Sequence, residues 1–109
     1  MGKLSRDKGK RGEREVVELL KLYGFEARRG QQFKGTSDSP DVVHNCTPLY
    51  IESKRREAFN LYAAMAKADD EKSPEQSSAV FHRRDNQRWL VTMDAGEFLE
   101  LMRNLRDGT

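Results

Sequence analysis

The chain has little that would staple it together or hold it in a membrane. One cysteine, Cys46, stands among 109 residues; it excludes an internal disulfide and suits a reducing cytoplasm. The two histidines, His44 and His82, lie far apart and with that single cysteine do not make a structural zinc site. No apolar run reaches the roughly 18–20 residues of a membrane span. The opening MGKLSRDKGKRGE lacks the apolar segment of a secretory signal. Repeats and low-complexity tracts are missing too, and the length suits one domain, residues 1–109.

What the chain does have is charge, unevenly placed. Charged residues make up 35% of the sequence and the net charge is +2. Residues 1–34 carry 10 Lys/Arg against 5 Asp/Glu, and residues 35–109 carry 10 against 13. A basic N-terminal third suits a phosphate backbone as partner; a solvated basic face is the other reading.

Residues 1–9, polar and basic with two glycines, are expected to form a flexible arm. From about Gly12, Val16, Val17, Leu19, Leu20 and Tyr23 recur at helical spacing, and Gly24 is a natural stop. FEARR reads as a short strand and GQQFKGTSDS as a loop. DVVHN and LYIESK read as strands joined by a turn at Asn45–Pro48, a central hairpin. A second helix is expected over about 58–71, with Phe59, Tyr62 and Met65 along one side and alanines beside them. SAVFH and RWLVTM follow as strands, and Asp94 can cap a last helix striped by Phe98, Leu99, Leu101, Met102 and Leu105. The predicted order is α-β-β-β-α-β-β-α, a mixed α/β fold.

Folding the hairpin on Asn45–Pro48 sets Asp41 opposite Glu52, with Cβ atoms about 5 Å apart. Two carboxylates that close repel unless a cation lies between them, and a divalent metal meets that need. Strand alternation puts Lys54 on the same face as Glu52. Two metal-ligating acids and an ammonium are the equipment for phosphodiester hydrolysis. The alternative is a turn residue after Pro40 and an exposed Glu52–Lys54 pair on an edge strand.

The residues Pro40, Asp41, Glu52 and Lys54 resemble the signature of the PD-(D/E)xK nuclease superfamily. With KGKRGEREVVELLKLYGFEARR upstream, the chain is similar to archaeal-type Holliday junction resolvases and their small phage-encoded relatives. The resemblance implies a restriction-endonuclease-like mixed sheet with flanking helices. It implies Mg²⁺, with Mn²⁺ as a substitute, held by Asp41, Glu52, the Ser53 carbonyl and Glu13, with Lys54 catalytic. Glu13 otherwise reads as an acid that favours a helix N-terminus. Resolvases of this type carry a Ser-Gly element before the aspartate; here Thr36 or Ser37 is the nearest equivalent.

Lys10, Arg11 and Arg14 on the first helix, Arg28 and Arg29 on the first strand, and Gln32 and Lys34 in the loop are the candidate DNA contacts, with Thr36 and Ser37. Arg55, Arg56, Arg83 and Arg84 are either further contacts or solvated residues; Trp89, His44, Cys46 and His82 read as structural. The implied partners are branched DNA and a second copy of the chain, since symmetric cutting of a four-way junction needs two sites about a two-fold axis. No membrane and no small-molecule substrate are expected, and the place of action is the cytoplasm, of the host cell if the gene is a phage's. The alternative functions are cutting of flaps, nicks or linear duplex, or a catalytically silent DNA-binding module of the same fold.

Overall fold

The computed structural model describes residues 3–30 and 42–108, with side chains in the first helix from Gly9 onward. The elements run α1 (Lys3–Leu22), β1 (Ala27–Arg29), β2 (Val42–His44), β3 (Leu49–Arg55), α2 (Leu61–Glu71), β4 (Ser77–Arg83), β5 (Leu90–Met93) and α3 (Ala95–Asp107). This is the order the sequence predicts, in a mixed α/β domain. Among the described residues no helix is long and apolar enough to cross a membrane.

The first helix corrects one expectation. It begins at Lys3 rather than at about Gly12, so residues 3–9 are helical. Apart from Gly9 and Gly12, the segment from Lys3 to Arg14 holds no residue hostile to a helix. Once Val16, Val17 and Leu20 are packed, each further turn adds a hydrogen bond per residue without a new nucleus. Its end is where the glycine says. Gly24 adopts φ +91°, a left-handed conformation that side chains disfavour. Phe25 N–H donates to the Leu20 carbonyl and Gly24 N–H to that of Lys21, at 3.0 Å each, closing the helix in a Schellman turn.

The strands correct a second expectation. β2 does not form a hairpin with β3: it pairs antiparallel with β1, Arg28 facing Val43. β3 instead pairs in parallel with β4, Glu52 facing Val80 and Lys54 facing His82, and β4 pairs antiparallel with β5. A parallel pair needs a crossover connection, and α2 is that crossover. A local turn cannot compete when the long connection buries a seven-residue strand on both faces.

Alternation along β3 then sorts its side chains. Ile51 joins Val16, Val17, Leu20, Val42, Ala79 and Phe81 in the core under α1. Tyr50 and Glu52 face α2, where Tyr50 Oη donates to Glu71 at 2.6 Å. On α2 it is Ala64 and Ala68 that are buried, while Tyr62 is 87% exposed, so the alanine side is the closely packed one, as its small residues suggest. Small side chains let the helix approach the sheet closely. α2 starts at Leu61 rather than 58, because Asn60 is its cap and accepts the Ala63 N–H at 3.0 Å. Asp94 caps α3 as expected, accepting the Glu97 N–H at 3.0 Å. None of the α3 residues is buried.

At Gly12 the first helix lies close against the sheet. A Cβ there would lie 2.8 Å from Arg55 Cβ and 3.3 Å from Ser53 Oγ. Gly12→Ala is therefore expected to lower stability by up to about 2 kcal/mol, overpacking of about 1–3 kcal/mol set against a helical gain of roughly 1 kcal/mol. Gly9→Ala, with nothing within 4 Å of the new Cβ, shows only the gain. Urea unfolding midpoints that move in opposite directions for the two variants are the expected result; equal shifts would mean that α1 and β3 are not in tight contact.

Candidate active site

Glu52 is the most unusual residue of the sheet. It sits in the middle of β3 at 1% exposure, where an isolated carboxylate would cost several kcal/mol. Two ammonium groups offset that cost on the same oxygen. Lys67 Nζ lies 3.0 Å from Glu52 Oε2 and Lys54 Nζ lies 3.7 Å from it. Lys54 comes from the strand itself, two residues on and on the same face, as alternation requires. Its side chain is 24% exposed, so one end of this buried pair opens to solvent.

Lys67 is the residue the sequence does not announce. It lies four residues before Glu71 on α2, the spacing of an ordinary surface ion pair, and the two are 4.0 Å apart. Its second role, over Glu52, exists because the crossover helix packs on that face of β3. A lysine on an alanine-rich helix offered no signal of it.

Glu13 is placed differently. Its helix covers the opposite face of β3, and its carboxylate accepts Arg29 Nε at 3.1 Å. Arg29, a predicted DNA contact, is thus tied to a predicted metal ligand. Glu15, on the same helix, anchors a structural cluster. It meets Arg55 Nε at 3.0 Å and accepts Arg83 Nη1 at 2.9 Å and Trp89 Nε1 at 3.1 Å. Arg55, at 8% exposure, is neither solvated nor available to DNA, and Trp89 packs against the core. Ser53 points to the α1 side, its Oγ buried with no hydrogen-bond partner among the described residues.

Lys10, Arg11 and Arg14 are exposed on α1 and Arg28 on β1. Arg11 and Arg14 edge a shallow depression shared with Arg83 and Trp89, which keeps a run of cations on one side of the molecule. Asp41, Gln32, Lys34, Thr36 and Ser37 lie outside the described residues. Among the described residues no three His, Cys, Asp or Glu side chains are arranged to hold a metal.

The structural readings of His44, Cys46 and His82 agree with their surroundings. Burial pushes both imidazoles below the usual histidine range and the Cys46 thiol up. His44 Nδ1 accepts the Cys46 N–H at 3.0 Å, which needs that nitrogen unprotonated. His82 Nε2 meets Thr92 Oγ1 at 2.9 Å. A thiol held protonated is a poor nucleophile.

With this geometry in view, the comparisons with known proteins are specific. The sequence model of the archaeal Holliday junction resolvase (Hjc) family matches residues 4–70, the span from α1 almost to the end of α2. No curated protein matches the chain. Among solved structures the fold is similar to that of Hjc, a Holliday junction resolvase from the archaeal hyperthermophile Archaeoglobus fulgidus. The TM-score is 0.55 at 18% identity, over 76% of this chain and 74% of that one.

Proposed function

The chain belongs to the archaeal Holliday junction resolvase family, metal-dependent nucleases that act on branched DNA, and on that premise we propose that it nicks four-way junctions in pairs, using Asp41, Glu52, Glu13 and Lys54. The observation that carries the assignment of residues is the buried Glu52 with Lys54 within 3.7 Å on one strand face. A carboxylate at 1% exposure between ammonium groups is a weak stabilising device, since an apolar pair would serve as well or better, and a chemical role accounts for it.

The donor set fits a hard divalent cation: carboxylates of Asp41, Glu52 and Glu13 and the Ser53 carbonyl, all oxygen. We take Mg²⁺ as the ion, with Mn²⁺ as a substitute. When bound, it supplies charge neutralisation at the phosphate and a more acidic water. The protein's own groups do the rest. Lys67 holds one Glu52 oxygen in place from behind. Lys54, a quarter exposed, presents N–H donors to a phosphate oxygen or to the attacking water. Joining the metal set means that Glu13 gives up its bond to Arg29, which would free that guanidinium for the DNA backbone. Lys10, Arg11, Arg14 and Arg28, with Gln32, Lys34, Thr36 and Ser37 from the segment before Asp41 in sequence, supply the remaining backbone contacts.

The second copy completes the reading. Phe98, Leu99, Met102 and Leu105 leave α3 with an uncovered apolar row, the kind of surface an isologous dimer covers. We place this activity in the cytoplasm, of the host cell for a phage gene.

A gel assay tests the proposal. Wild type and Glu52→Gln are incubated with Mg²⁺ on a synthetic four-way junction, a flap and a matched linear duplex. Paired symmetric nicks in the junction, lost in the variant and in EDTA, are expected. Cutting confined to flap or duplex would remove the junction role, and binding without any cutting would identify a silent DNA-binding module.

A further inference from the structure

Beyond the strand end that carries Lys54 lies a second basic surface that the catalytic reading does not use. A groove of about 610 Å³ opens between the end of β3, the end of β4 and the turn before β5. Arg56, Arg83, Arg84 and Arg88 line it, against one acid, Glu57. We propose that this groove grips the sugar–phosphate backbone of the DNA strand flanking the cut, a contact that rests on the nuclease reading above and extends it.

The reason lies in where the nearby acids go. Glu57 accepts the backbone N–H of Asp85 at 2.8 Å, and Asp85 in turn takes the buried Arg55 at 2.9 Å. Glu15 takes Arg83. The turn therefore spends its carboxylates on holding itself to β3 and α1. Arg56, Arg84 and Arg88 are left exposed on the rim, with no ion pair among the described residues. Long cations that repel one another are not gathered for stability; they suit a polyanion. Guanidinium groups match phosphate in particular, through paired donors.

The floor is shaped for a sugar–phosphate chain rather than for a lone anion. Phe59 packs edge-on to His82, ring centres 5.5 Å apart at 65°, so an apolar surface underlies the cationic rim. The groove is also continuous with the site. His82 is the register partner of Lys54, and Arg56 follows Lys54 by two residues, about 7 Å at strand rise. On the other side Arg83 is shared with the depression edged by Arg11 and Arg14. A strand whose phosphate sits at Lys54 would run into the arginines within a few nucleotides.

The test is the salt dependence of binding. A fluorescent four-way junction is titrated in EDTA, so that nothing is cut, with wild type, Arg56→Ala/Arg84→Ala/Arg88→Ala and the corresponding triple lysine variant, between about 50 and 200 mM KCl. Each phosphate contact contributes about 0.9 to the slope of log K against log salt. The alanine variant is expected to flatten that slope by about 2–3 and to bind roughly tenfold to hundredfold more weakly at the upper salt. The lysine variant should recover most of the slope, since charge rather than shape carries it. All three positions are exposed, and an unchanged circular dichroism melt checks the fold. An unchanged slope and affinity in the alanine variant, with wild type binding tightly, overturns the groove and leaves the nuclease standing. Failure of the wild type to bind any DNA overturns the nuclease reading and the groove with it.

Discussion

Lys54→Met is expected to slow single-turnover cleavage of a four-way junction by about 10³-fold while leaving the protein folded. The ammonium is worth this much because it acts where charge builds up on the phosphorane, in a setting partly shielded from water; deleting one such donor typically costs 10²–10³ in rate. The fold survives because Glu52 keeps its nearer cation, Lys67 at 3.0 Å, so the buried carboxylate is not stranded. Methionine also keeps most of the length and the apolar stem of lysine. The check is a cleavage time course run beside a urea unfolding curve of the same preparation. A Lys54→Met variant within tenfold of wild type, set beside an inactive but folded Lys67→Met, would reverse the roles of the two lysines.

Glu15→Leu is expected to be among the most damaging single changes to stability, by about 3 kcal/mol. Arg83 and Trp89 donate to this carboxylate, and the Arg55 guanidinium forms an ion pair with it. Removing it strands Arg55, which is 8% exposed and among the described residues keeps only Asp85, and leaves the indole N–H of Trp89 without its acceptor. Breaking a buried pair from one side costs about 3–5 kcal/mol, and the lower end applies because Glu15 itself stays a quarter exposed. Against a total of about 5–15 kcal/mol for a domain, that is a large share. Urea denaturation followed by circular dichroism measures it. Glu18→Ala is the comparison: its pair with Lys21 lies in solvent and should move the midpoint hardly at all. Adding Arg55→Met to Glu15→Leu should recover part of the loss, because no buried charge then remains. A loss below about 1 kcal/mol for Glu15→Leu would show that α1 is not held to the sheet through this cluster.

Element order was legible in the chain because each segment carries its own local signal. The stripe of Val16, Val17 and Leu20, the left-handed Gly24 and the capping Asp94 act within a few residues of themselves, through backbone geometry and side-chain spacing. The parity of Glu52 and Lys54 on β3 was legible for the same reason: alternation is a property of any strand. The signature residues that suggest a nuclease are likewise read along the chain, within the span 4–70 that the family model matches.

Pairing was not legible, and the physical reason is distance along the chain. Whether β3 folds back on β2 or crosses over α2 to β4 is decided by which arrangement buries more apolar surface, a comparison across residues 42–83 that no window of the sequence contains. The same comparison turned Arg55 from a candidate surface cation into a buried one. It also brought Lys67 onto Glu52 and set Arg56, Arg84 and Arg88 around one groove. The sequence by itself determined the elements, the face on which Glu52 and Lys54 lie together, and the chemistry those two residues can offer. Only the tertiary structure decided what surrounds them, because burial and charge pairing are properties of segments meeting in space rather than of segments in order.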